Sequence, residues 1–156
     1  MKKLMTLLIS CLMMATAQSQ TAELPTVNAE IGEVISVPLM VGNWVDVAAI
    51  TLYITFNESK LTFLGAEPGL NDMHYTCYWG CIAISWAELT PVTLSGELIS
   101  FQFLVNGTSM LYFKTHYCEV VQWPYPFFND ELTYLDVLYT NGLVYQPNKS
   151  MNTLKK

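Results

Sequence analysis

The histidines and cysteines of this chain are the residue types best suited to hold a metal, and they gather at two points. His74, Cys77 and Cys81 lie close together, and His116 and Cys118 form a second group. Zinc takes imidazole and thiolate ligands in a tetrahedron, so these types would serve. Their spacing is not that of a standard zinc motif, and cysteines of exported proteins form disulfides more often than metal sites. We therefore predict no metal site and no cofactor.

Cysteine pairing is the alternative use of these thiols. Cys77 and Cys81 flank Tyr78-Trp79-Gly80, which has the composition of a hairpin tip, so we predict a disulfide between them. A bond from either cysteine to Cys118 remains open, because sequence alone does not determine connectivity.

Catalysis is not indicated by the remaining polar residues. A nucleophile, a base and an orienting group form no recognisable motif, and the chain has only two histidines and no arginine. A glycosidase would need two carboxylates across a cleft. The candidates, by residue type alone, are Asp72, Glu88, Asp130, Glu131 and Asp136. We interpret these acids as solvated groups and predict that the protein is not an enzyme.

Aromatic residues are the other candidates for a site. Trp123, Tyr125 and Phe127 belong to Gln122–Phe128, where Pro124 and Pro126 exclude a central strand and favour an exposed loop or edge. Tyr78 and Trp79 occupy the expected hairpin tip. Exposed rings bind sugars by stacking and anchor protein interfaces, so these rings, together with Trp44, are candidate binding residues.

The first 17 residues have the features of a bacterial signal peptide. Lys2 and Lys3 precede an apolar run, and Ala15-Thr16-Ala17 is a small-residue cleavage signal. Cleavage at or before about residue 20 would release an exported protein. Lipid attachment at Cys11 is an alternative, disfavoured by the short apolar run before it. No other apolar stretch is long enough to span a membrane.

Length and charge restrict the remaining possibilities. Residues 21–146 suit a single domain, and residues 147–156 form a polar tail that is expected to fray. The net charge is −6, and the seven basic residues are all lysines. Nucleic-acid binding needs clustered lysine and arginine, so we exclude that partner class.

Hydrophobic residues alternate with polar ones throughout the expected domain. In Val47–Phe56, for example, Ile50, Leu52 and Ile54 would face the core, while Thr51, Tyr53 and Thr55 would face outward. Similar runs end at glycine, proline or asparagine turns about every ten residues, which is typical of sandwiches and jelly rolls. We predict an all-β, two-sheet jelly-roll sandwich of about nine strands.

Several of these segments, taken in order, resemble the cohesin domain family. The first is Ile31-Gly32-Glu33-Val34-Ile35-Ser36-Val37-Pro38-Leu39, followed by a strand that closes on Phe56-Asn57-Glu58-Ser59-Lys60-Leu61. Later matches are Ala66–Gly69, Ile82–Ala87, Pro91–Phe103 and Asn141–Val144. The resemblance implies a nine-stranded jelly roll and a non-catalytic module that docks a dockerin of a polysaccharide-degrading enzyme.

The resemblance also suggests where the partner binds. Family interfaces use a flat sheet face, here Thr51, Tyr53 and Thr55 with Ser85 as a neighbour. Outward positions that often carry Asn and Asp in dockerin binders fall on Ala49 and Thr51, and each hydrogen bond lost is worth about 0.5–1.5 kcal/mol. The alternative is a carbohydrate-binding module of similar fold, with an aromatic platform drawn from Trp44, Tyr78, Trp79, Trp123 and Tyr125.

Overall fold

A computed structural model describes residues 19–123 and 132–147 of the chain. Within those ranges the backbone forms eleven strands and one short 3₁₀ turn, Thr115–Tyr117. The strands are β1 (Gln20–Glu23), β2 (Thr26–Asn28), β3 (Val34–Thr55), β4 (Leu61–Pro68), β5 (His74–Tyr78), β6 (Cys81–Val105), β7 (Ser109–Phe113), β8 (Glu119–Gln122), β9 (Thr133–Tyr134), β10 (Val137–Thr140) and β11 (Gly142–Tyr145). The described part of the chain contains no helix long and apolar enough to cross a membrane.

Two long strands, β3 and β6, run antiparallel and serve both sheets of the sandwich. Their register shifts at four places between Leu39 and Ala49. Asn43 and Asp46 have positive φ values of 59° and 55° in this bend. Since such bulges bend a strand, the two halves of each strand belong to different layers. Gly42-Asn43, a pair typical of turns, is thus a bend inside β3, and each long strand joins segments that the sequence pattern separates.

The late half of β3 is at the centre of the first sheet. It pairs with the early half of β6 on one side and with β8 on the other. β5 extends this sheet beyond β6, and β9 extends it beyond β8. The local order is therefore β5-β6-β3-β8-β9, with all neighbours antiparallel. The Ile54–Thr55 end of β3 also pairs with β7.

The early half of β3 lies in the opposite layer. It pairs with the late half of β6 and with β1, while β4 pairs with the late half of β6. β10 joins β1 in parallel, and β11 lies between β7 and β2. The all-β jelly-roll prediction is confirmed, with a somewhat larger number of strands than expected.

The core lies between the two layers. Ile50, Leu52 and Ile54 are at most 1% exposed, as their alternation with polar residues predicts. Phe101 and Phe103 contribute from the late half of β6, and Phe103 packs edge-on against Phe56 with ring centroids 5.1 Å apart. Each fully buried large side chain contributes about 1.5–3 kcal/mol, so these residues are the main source of stability.

Candidate partner-binding face

The outer side of the first sheet carries the residues that the sequence assigns to a partner. Thr51, Tyr53 and Thr55 point away from the core and are half-buried among their neighbours, and Ser85 is exposed. Side chains directly opposite one another on paired strands lie on the same side of a sheet. The register therefore defines which residues share this surface, which we call the outward face.

The outward face includes three rows that cross the strands. The first is His74, Ser85, Thr51 and Glu119, with each residue directly opposite the next. The second is Thr76, Ala83 and Tyr53, and the third is Tyr78, Cys81, Thr55 and Tyr112. Four strands span about 14 Å at the usual spacing. Thr51, Tyr53, Thr55 and Ser85 therefore lie at the centre of one continuous surface.

Small side chains occupy several positions of this surface, so little protrudes above the backbone of the sheet there. Ala49 and Ala87 are opposite each other beside the first row, and Ala83 is in the second. No long side chain rises from these three positions, so a partner can approach the sheet closely there. Flatness of the whole outward face stays a prediction.

Tyr53 is held in place by the segment between β7 and β8. Its carbonyl oxygen accepts a hydrogen bond of 2.8 Å from the amide of Lys114, and its own amide donates to the Cys118 sulfur at 3.4 Å. The Tyr117 ring packs edge-on against the Tyr53 ring, with centroids 6.1 Å apart. The 3₁₀ turn thus adds a second tyrosine beside the centre of the outward face.

Sequence reasoning missed the outer members of the rows. His74, Tyr112 and Glu119 join the face only through pairing of distant strands, which no local pattern reveals. The sequence does predict that Tyr112 points outward, because it occupies an outward position in the alternating run from Met110 to Lys114. Its pairing with Thr55 requires the three-dimensional register.

Trp44 corrects the aromatic platform proposed from sequence. Its side chain has no exposed surface, because the bend in β3 turns it into the core opposite Leu94. Its indole N–H finds no hydrogen-bond partner among the described residues. A buried ring cannot stack on a ligand, so Trp44 is a core residue.

Tyr78 and Trp79 are exposed, in agreement with their expected position at a hairpin tip. Tyr78 is 70% exposed and Trp79 is 93% exposed. Trp79 and Gly80 have φ values of 50° and 66°, which correspond to the two central residues of a type I′ turn. Left-handed backbone costs a residue other than glycine about 1–2 kcal/mol, and asparagine is better tolerated there than tryptophan.

The second aromatic group is only partly described. Trp123 is half-buried, and its amide donates a hydrogen bond of 2.9 Å to the Asp46 carbonyl. Tyr125 and Phe127 lie outside the described residues, as do Asp130 and Glu131, the leader and the tail beyond Pro147. A platform that joins Trp123 to Tyr78 and Trp79 stays a prediction.

The predicted disulfide is absent, and the register explains why. Cys77, Cys81 and Cys118 are free thiols. Cys77 is opposite the buried Ile82, whereas Cys81 is opposite the exposed Tyr78, so the two side chains point to opposite sides of the sheet. A disulfide needs the two Cβ atoms to point toward each other, so this hairpin position does not favour the bond.

Burial also changes the pKa of two of these thiols, Cys77 and Cys118. Burial raises the pKa of Cys77, and the nearby Glu58 carboxylate and Cys81 raise it further. Burial raises the pKa of Cys118 as well, although the backbone hydrogen bond at Tyr53 opposes that rise. Both thiols therefore resist ionisation, which makes them poor nucleophiles and poor metal ligands at neutral pH.

The other polar candidates are dispersed. Among residues 19–123 and 132–147, no three histidine, cysteine or acidic side chains come together in a group able to hold a metal ion. Asp72, Glu88 and Asp136 are exposed on separate segments.

Comparisons with known proteins identify the fold. No family model matches the chain, and no curated protein matches it in sequence. Solved structures of cohesins do match: the seventh ScaB type I cohesin from Pseudobacteroides cellulosolvens has a TM-score of 0.73 at 15% identity, over 88% of this chain and 97% of that one. The fold is therefore cohesin-like, and the resemblance noted in the sequence is confirmed.

Further similar structures widen this comparison. A non-cellulosomal cohesin from the archaeon Archaeoglobus fulgidus has a TM-score of 0.70 at 18% identity, over 85% of this chain and 94% of that one. The OlpA cohesin from Clostridium thermocellum, solved in complex with a dockerin, has a TM-score of 0.70 at 15% identity, over 83% of this chain and all of the other. These identities show the shared fold.

Proposed function

We propose that this protein is a non-catalytic binding module that docks a dockerin, or a similar small domain, on the outward face. The observation that carries the proposal is the convergence of Thr51, Tyr53, Thr55 and Ser85 on one side of a sheet in a cohesin-like fold. The similar OlpA cohesin was solved in a complex with a dockerin, which supports the same class of partner here.

The chemistry of the face suits a protein partner. Tyr53 and Tyr117 form an edge-on pair at its centre, and tyrosine is enriched at the centres of interfaces. Ala49 and Ala83 allow close approach, while Glu119 and His74 at opposite ends of the first row supply polar contacts at the rim. Shape and aromatic packing would replace the hydrogen bonds that Asn and Asp make in other dockerin binders.

Export and the setting of the module belong to the same proposal. The leader of residues 1–17 would direct the chain out of the cell, where enzymes that degrade polysaccharides act. The acidic balance of the chain, whose net charge is −6 with the two leader lysines included, would keep the exported domain soluble. The protein would hold an enzyme at a secreted or surface location and would not perform the reaction.

Affinity capture tests the proposal. The chain from Gln18 onward, immobilised, is exposed to the secreted proteins of its own organism, and captured proteins are identified by mass spectrometry. We expect a dockerin-bearing protein, whose isolated dockerin then binds in calorimetry. Tyr53→Asp places an unpaired charge at the centre of the face and is expected to weaken that binding at least 30-fold, as loss of about 2 kcal/mol implies.

A matched variant controls for general effects of added charge. Thr26→Asp places the same carboxylate on an exposed position of β2, away from the outward face. It should bind like the wild-type protein. Equal binding by the Tyr53→Asp and wild-type proteins would contradict the assignment of the face.

A further inference from the structure

The end of the outward face nearest the β5–β6 turn holds an exposed aromatic group that the proposed partner face does not require. Trp79 is 93% exposed, so its ring contributes almost no packing to the fold. Its φ of 50° belongs to a conformation that a bulky side chain rarely adopts. Strained residues of this kind cluster at binding sites, because the strain persists only where the rest of the structure imposes it.

The third row of the face forms a trough beside this ring. Tyr78 and Tyr112 are 70% and 48% exposed and stand at its two ends, and the small side chains of Cys81 and Thr55 lie between them. The three strand spacings from Tyr78 to Tyr112 amount to about 14 Å. The two rings therefore stand on either side of a floor of small side chains, and the channel between them runs along the strands.

The trough continues into a groove at the end of β3. The groove has a volume of about 360 Å³, and its lining includes Thr55 and Tyr112 from the trough, with Asn57, Thr108 and Ser109 beyond them. None of the described residues that line it carries a charge. The groove thus offers hydroxyl and amide groups next to aromatic rings.

The tip and the groove are connected through the backbone. The Gly80 carbonyl accepts a hydrogen bond of 2.8 Å from the amide of Phe56, which also lines the groove. A Cβ atom at Gly80 would lie 2.6 Å from the Phe56 carbonyl oxygen, so the two segments are in close contact. This contact fixes the position of the Trp79 backbone relative to the groove.

We propose that the trough and groove bind a short run of neutral sugar units from a polysaccharide. Sugar rings have apolar C–H faces that pack on aromatic rings, and hydroxyl rims that pair with uncharged donors and acceptors. Tyr78, Trp79 and Tyr112 supply the rings, and Asn57 and Thr108 supply polar groups. The uncharged lining and the acidic chain disfavour an anionic polysaccharide.

Affinity electrophoresis tests this site with defined probes. The protein is run through native gels that contain xyloglucan, glucomannan or arabinoxylan, with polygalacturonate as the anionic comparison. We expect at least one neutral polysaccharide to retard it. Tyr78→Ala and Tyr112→Ala should each weaken that binding at least tenfold. Tyr134→Ala, which changes a comparably exposed tyrosine on β9 outside the trough, should leave it unchanged.

Trp79→Asn separates binding from folding. Asparagine followed by Gly80 is a preferred type I′ pair, so this variant should melt at a higher temperature while its retardation by the polysaccharide is lost. A merely structural tryptophan would not give that combination. Retardation that survives in both Trp79→Asn and Tyr78→Ala would overturn the proposal.

The remaining outcomes are equally decisive. No retardation by any of the three neutral polysaccharides, or retardation by polygalacturonate alone, would overturn the site. Trp79→Asn could instead weaken capture of a protein partner while the polysaccharide retards it as much as it retards the wild-type protein. In that case the tip is part of the protein interface, and the sugar site is wrong. Tyr53→Asp reports on the dockerin proposal independently, since Tyr53 lies outside the trough.

Discussion

Trp44 and Trp79 are the same residue type in opposite surroundings. Both belong to the aromatic platform predicted from sequence, yet Trp44 is completely buried and Trp79 is 93% exposed. The difference shows that the register and the local backbone decide what a ring does. Residue type alone indicates only that a large ring must be placed somewhere.

The backbone around each tryptophan explains its position. Trp44 lies between Asn43 and Asp46, whose left-handed conformations bend β3 and direct the ring to the core. Trp79 is the first central residue of a two-residue turn, where a side chain points away from the strands. The first ring is therefore part of the fold, and the second is available to a ligand.

The largest expected effect is the loss of the buried ring. Trp44→Ala leaves a cavity in the core and should lower the free energy of unfolding by about 3–5 kcal/mol, measured by urea denaturation. Trp79→Ala, the matched change, should alter it by less than about 1 kcal/mol. Similar losses in the two variants would show that the tip ring is also structural.

The next effect concerns the glycine beside the exposed ring. Gly80→Ala would place a Cβ atom 2.6 Å from the Phe56 carbonyl oxygen at a φ of 66°, so both space and conformation oppose it. We expect a loss of about 1–3 kcal/mol in the free energy of unfolding. A neutral result in thermal and urea unfolding would mean that the turn relaxes, and the contrast with Trp79 would weaken.

A smaller effect of opposite sign is expected at Trp79 itself. Trp79→Asn replaces a strained bulky residue with one that tolerates left-handed backbone, and it should raise the free energy of unfolding by about 1 kcal/mol. Differential scanning calorimetry would detect the rise in melting temperature. A fall would show that the ring makes stabilising contacts after all.

Much of the fold was predictable from the chain, and the reasons are local. The alternation of Ile50, Leu52 and Ile54 with Thr51 and Tyr53 identifies both sides of β3, because one side of a strand must be buried. The bend that joins two predicted strands into β3 was not predictable. It depends on Asn43 and Asp46 adopting left-handed backbone, for which asparagine and aspartate are only permissive.

The candidate site was predictable only at its centre. Tyr53 follows from alternation within its own strand, whereas Tyr112 and Glu119 reach the face through pairings between distant segments. The same lack of register led to the proposed Cys77–Cys81 bond. Two residues near a hairpin tip can point to opposite sides, and a shift of one residue in the turn decides which.

The smallest predicted effect uses those cysteines to test which side of the tip hairpin is buried. Burial raises the pKa of Cys77, with Glu58 and Cys81 adding to the rise, and burial also raises the pKa of Cys118. Above the ordinary thiol pKa of about 8.5, the unfolded chain releases these protons while the native state retains them. The native state then binds more protons, so stability falls as the pH increases.

The measurement is urea unfolding across the range in which free thiols begin to ionise. The free energy of unfolding should be steady below about pH 8 and should decline toward pH 9.5. Cys77→Ala and Cys118→Ala should each reduce the slope of that decline. An unchanged slope in Cys77→Ala would mean that its thiol is as exposed as the outer residues of the tip, and the inward side of the hairpin would have to be reassigned.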